Sequence, residues 1–161
     1  MATLWYISVT LHVLAATLLV GGQAFMILAM MPALREPQHQ SVGRSMLLSA
    51  GRRFRKVSVG CLHLLLLTGL FNLWFRCGQT FDMKNPLMHA GMTKLVLWVI
   101  ALGISIYHDK VIGQRAVAAW EKDPNGPATL ALRRTSMLLG RVGFAIAVVM
   151  VLLGVWIVRP L

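Results

Sequence analysis

Long apolar runs, each interrupted by a few polar positions at helical spacing, dominate this chain. Four of them cover about 4–34, 57–76, 93–113 and 139–158. A bilayer crossing takes roughly 20 apolar residues, so the pattern predicts an all-α, polytopic membrane four-helix bundle. The 161 residues form one transmembrane domain.

The first run, LWYISVTLHVLAATLLVGGQAFMILAMMPAL, sets the theme. On a helix turning about 100° per residue, Ser8, His12, Ala15, Ala16, Leu19, Gln23, Met26 and Met30 fall along one stripe. The opposite side carries Val, Ile, Leu, Phe and Thr. Such a polar stripe on a membrane helix faces protein, ligand or cavity while the other side faces lipid. Pro32 and Pro37 are expected to close this helix.

The second helix is expected to begin within 43–56, before it enters the membrane, with Arg residues meeting phosphates. It has two polar directions. Thr68 and Asn72 share one face, and His63 points some 140–180° away, about half a helical turn. Along the third helix Lys94, Trp98, Ala101, Ser105 and His108 line up in a second polar stripe. The fourth offers Gly140, Gly143 and Ala147, small residues that allow close packing. Asn85-Pro86 and Asp123-Pro-Asn-Gly-Pro are turn signals between helices.

Composition narrows the class. The chain is 57% hydrophobic and only 13% charged, about half the charge of soluble domains. The formal net charge of +11 does not point to nucleic acid, because the basic residues lie in the loops. Six lie within 35–56 and six within 110–141, against three around 76–94 and one, Arg159, near the C-terminus. The positive-inside rule then places both termini on the outer, periplasmic side and the first and third loops in the cytoplasm of a bacterial inner membrane. A cleaved signal peptide is not expected, since no Lys or Arg precedes Arg35. Cys61 and Cys77 lie about 24 Å apart along one helix and read as separate thiols.

The hydrolytic and nucleotide motifs GxSxG, P-loop, HExxH and CxxC are absent, and only five acidic residues occur. Imidazoles, thioethers and one membrane-edge amine remain, groups suited to soft metals and haem iron. Two constellations follow. Inside the bundle, His12, His63, Lys94 and His108 are candidate haem b ligands or proton carriers, with His63 and His108 at matched depth. Toward the outer side, Met88, His89 and Met92, with His12 beneath, are candidate ligands for a copper ion. Met83 stands nearby, and His89 and Met92 are spaced to share one ion. Interhelical hydrogen bonding by histidine and gap filling by methionine account for the same residues without any ligand.

The stretches LHVLAATLLVGGQAFMILAMMPALR, RRFRKVSVGCLHLLLLTGLFNLW and PLMHAGMTKLVLWVIALGISIYH together resemble the copper-resistance D (CopD) family of bacterial inner-membrane proteins. His12, Gly21, Gly22, Pro32, Arg53, Thr68, Gly69 and Lys94 carry that resemblance. It implies a helical bundle associated with copper uptake or tolerance. More distantly, the chain is similar to the bacterial membrane protoporphyrinogen oxidases. Their helix-1 His and helix-3 Lys would fall on His12 and Lys94, and the resemblance implies haem there. The chain departs from the larger copper-resistance proteins in having only four helices, too few for an obvious channel. The leading expectation is a protein that handles copper at the inner membrane. The alternatives are a haem-b redox protein or protoporphyrinogen oxidase-like enzyme, a haem-dependent oxidoreductase, and a structural subunit without cofactor. Membrane lipids are expected partners, and a homodimer or a redox partner is compatible with the sequence.

Overall fold

A computed structural model describes residues 1–34, 36, 40–78 and 82–158. Arg35, Pro37 and Arg159, used above for orientation and helix ending, lie outside the described residues. Four helices account for nearly all of the rest: α1 (Ala2–Ala33), α2 (Gln40–Arg76), α3 (Pro86–Lys122) and α4 (Pro127–Val158). Each holds a stretch long and apolar enough to cross a membrane, and no strand occurs among the described residues. The protein is therefore an all-α, multi-pass membrane protein. In lipid this is the expected solution, because a helix satisfies its own backbone polar groups.

The helices outrun the apolar segments. α2 starts at Gln40, so the basic stretch Arg52–Lys56 is helical. α3 starts at Pro86, not near Thr93. Its first turn is set by Asn85, whose Oδ1 accepts from Leu87 N–H at 2.9 Å, and by Pro86 at the first helical position. Asp123 organises the turn into α4: its Oδ1 accepts from Asn125 N–H and its carbonyl from the Thr129 hydroxyl at 2.7 Å.

Two helices contain a wide turn. In α1 it spans Met26–Met30, and Met31 N–H reaches back to the Met26 carbonyl. Pro32 follows at once. Its ring would collide with the carbonyl four residues earlier, at Leu28, and widening the turn relieves that crowding while the helix runs on to Ala33. The second wide turn, His108–Gly113 in α3, has no proline to explain it.

The helices pack as two antiparallel hairpins, α1 on α2 and α3 on α4. Contacts of α1 with α4 and of α2 with α3 close the bundle. The polar stripe of α1 faces inward, with Ser8, Ala15 and Leu19 buried, while Ile7, Leu11, Leu14, Leu18 and Phe25 are exposed toward lipid. The centre is small and apolar: Ala15 and Leu19 of α1 meet Cys61 and Leu62 of α2, with Trp98 and Leu102 of α3 against them. The α1–α2 seam runs from Trp5 stacked on Phe75, ring centroids 5.3 Å apart, to Phe54 lying over Gly22. The two cysteines are both buried and are not joined to each other.

Candidate functional site

His12 sits on the inward stripe of α1, opposite Thr68 and Gly69 of α2. Its Nδ1 lies 2.8 Å from Thr68 Oγ1. The Thr68 hydroxyl has one proton, and it donates that proton to the Leu64 carbonyl at 2.6 Å. The oxygen can then only accept from His12, so Nδ1 carries the imidazole proton and Nε2 carries the lone pair. Ser8 donates to the Thr68 carbonyl at a long 3.5 Å, which adds a weaker tie between the same turns. Gly69 makes room for the ring: a Cβ there would stand 3.3 Å from His12 Cε1. A metal-binding histidine is oriented in this way, through a hydrogen bond from its other nitrogen.

Lys94 and Trp98 bring α3 to the same part of the bundle. Lys94 Nζ passes over α4 at Gly154, where an added Cβ would stand 3.1 Å away. Trp98 Nε1–H donates to the Leu62 carbonyl at 3.1 Å, fixing α3 against α2 one turn deeper. His12 and Thr68 thus join α1 to α2, and the open side of α4 at Gly154 leaves Lys94 of α3 its path.

His63 and His108 are not brought together. His63 is exposed on the lipid side of α2, its Nδ1–H donating to the Val59 carbonyl at 2.8 Å. His108 points into the bundle, where Nε2 lies 2.9 Å from Ser136 Oγ of α4. The antiparallel pairing sets Leu62 against Trp98 and Arg55 against Asp109. His108 therefore lies level with Arg55, which is eight residues and about 12 Å along α2 from His63. The matched depth inferred above came from the ends of the apolar runs, and those are not the ends of the helices.

The outer constellation is divided as well. Met88 is 1% exposed and packs inside, while His89 and Met92 are exposed three residues apart on α3. Among the described residues no three His, Cys, Asp or Glu side chains gather as a metal cage.

The sequence reading missed a second polar cluster. Arg55 of α2 pairs with Asp109 of α3 beside the His108–Ser136 bond, at the wide turn of α3. Arg55 had been counted only as part of a basic run, and one sequence holds no signal that pairs it with Asp109. Asp109 is the more buried partner, at 23% against 44% exposure, so it depends on the pair more than Arg55 does. Arg55→Leu is expected to lower the melting temperature of the detergent-solubilised protein. Arg55→Leu with Asp109→Leu should recover part of that loss, because no lone charge is left at the interface. A double variant no more stable than Arg55→Leu would show that the pair does not couple.

No protein-family model matches the chain, and neither a curated protein nor a solved structure was found to match it. The assignment of function therefore rests on the site.

Proposed function

We propose that this protein binds haem b in the inner membrane of a bacterium and works as an oxidoreductase, with His12 as the residue that would hold the iron and Lys94 on α3 as the cation of the site. One observation carries the reading: His12 is held by Thr68 with its Nε2 lone pair left available inside a membrane bundle. Iron ligation by histidine needs that nitrogen neutral, oriented and shielded from water. When bound, haem supplies one-electron chemistry. The chain's own part is to orient the ligand through Thr68, to give it room at Gly69, and to place the Lys94 cation where an anionic group or a proton acceptor of the substrate would sit. The resemblance to membrane protoporphyrinogen oxidases, which falls on His12 and Lys94, supports the same choice.

The orientation proposed with it has both termini in the periplasm. The loops that join α1 to α2 and α3 to α4 lie at one end, together with exposed Arg52, Arg53, Lys56, Arg115, Lys122, Arg133 and Arg134. A basic end of this kind faces the cytoplasm and anionic headgroups.

Copper handling is the second reading. It is favoured by the exposed pair His89 and Met92 at the end of the bundle nearer to His12 and by the likeness to the CopD family. Imidazole and thioether three residues apart suit Cu(I).

An absorption spectrum of the protein purified in detergent tests the choice. The expected result is a Soret band that shifts on reduction with dithionite. A colourless protein holding stoichiometric copper would overturn haem in favour of copper. A protein with neither would leave a structural subunit.

A further inference from the structure

The wide turn of α3 carries a polar cluster that the site around His12 does not use. It ties α3 to two neighbours at once: His108 Nε2 lies 2.9 Å from Ser136 Oγ of α4, and Asp109 pairs with Arg55 of α2. No proline accounts for this wide turn, and such turns inside α-helices gather at functional sites. With Nε2–H donating to the Ser136 oxygen, His108 Nδ1 keeps a lone pair, and it makes no hydrogen bond with a described residue. Two further polar atoms lie on the α1–α2 seam, between this level and the apolar centre. Ser58 Oγ is one turn along α2 from Arg55, and Gln23 Oε1 is next to Gly22, over which Phe54 lies. Both atoms are buried and have no hydrogen-bond partner among the described residues. Buried polar atoms of this kind are served by water. Water reaches them from the basic end of the bundle, because the apolar centre around Leu19, Leu62 and Trp98 closes the way toward His12.

We infer that this cluster is a proton-binding site, served by solvent at the basic end and separate from the site at His12. His108 Nδ1 takes the proton from water while Nε2–H stays on Ser136. Asp109 then stands beside two cations, the imidazolium and the Arg55 guanidinium, and its carboxylate holds both. The groups that face His108 are few: Ser136 from α4, Arg55 from α2 and Asp109 on its own turn. α1 has no Asp, Glu, Lys or Arg, and its His12 lies beyond the apolar centre. Lys56, Lys110, Arg133, Arg134 and Arg141 are exposed. An ion pair serving packing alone would account for Arg55 and Asp109. It would leave the imidazole on the next residue and the two unpartnered atoms without a role, and so it explains less.

The experiment labels histidine with nitrogen-15 in the full-length protein, in detergent and without hemin. It follows the imidazole signals by NMR from about pH 5 to 8. His108→Gln identifies the signal of His108, which is expected to show a reversible one-proton titration. Asp109→Asn should weaken binding of that proton about tenfold, and Arg55→Gln should strengthen it several-fold. The opposite signs separate the site from loosened packing, which would move both variants the same way. Each variant is checked for unchanged helicity and elution, and where one fails that check the sign of the other decides. A His108 signal that does not move with pH overturns the site. So does an Asp109→Asn titration equal to wild type, and so do shifts of the same sign in the two variants. Because no hemin is present, a protein that binds no haem overturns the function drawn from His12 and leaves this site to its own titration.

Discussion

On the haem function proposed above, His12→Ala is expected to weaken haem binding by about 100-fold or more, with helicity and elution unchanged. The variant deletes the ligand and little packing, because His12 is half-buried and its ring touches chiefly Thr68 and Gly69. Thr68→Val is the finer test. Valine keeps the shape of threonine and loses the acceptor that holds Nδ1–H. The ring is then free to turn, and its tautomer is no longer set, so affinity should fall about 10- to 100-fold. Thr68→Ser keeps the hydroxyl and should retain most of the binding. Equal haem affinity in wild type and Thr68→Val would mean that Thr68 serves packing alone. Hemin titration followed at the Soret band distinguishes these outcomes.

Gly22→Val is expected to be the most damaging change at a residue that touches no ligand. The ring of Phe54 occupies the space where any side chain at Gly22 would start. Even Gly22→Ala would overlap it, and overpacking of this kind costs about 1–3 kcal/mol. Gly21, its neighbour, faces open space, so Gly21→Ala should be nearly neutral. Combining Gly22→Ala with Phe54→Leu should recover much of the loss by shortening the obstructing side chain. Melting in detergent, followed by circular dichroism, gives the order expected: Gly21→Ala near wild type, the double variant below it, Gly22→Ala lower, Gly22→Val lowest. Equal melting of the Gly21 and Gly22 variants would show that this contact contributes nothing to stability.

These two variants also show how much could be read in advance. The Gly21-Gly22 pair stands out in the sequence as a place of close approach, for a neighbouring helix or for a flat ligand. Only the packing shows that one of the two glycines matters and that the neighbour is Phe54. The inward stripes of α1 and α3 were legible because a helix in lipid has one cheap place for polar side chains, against other protein. Thr68 was legible for the same reason. His63 was not, since a lone histidine on an apolar helix gives no sign of whether it faces the bundle or the lipid. Met88, His89 and Met92 look alike in sequence, and the phase of α3 separates the first from the other two.

The four crossings, the all-helical class and the inward sides of α1 and α3 follow from the sequence alone. They depend on periodicity and on the cost of polar groups in hydrocarbon, both of which are local properties. Depth and partnership do not. The pairing of His12 with Thr68, the separation of His63 from His108, and the meeting of Arg55 with Asp109 depend on how far each helix runs past its apolar core and on the stagger between helices. That stagger is fixed by contacts tens of residues apart in the chain, such as Phe54 over Gly22 and Trp5 on Phe75, and only the tertiary structure sets them.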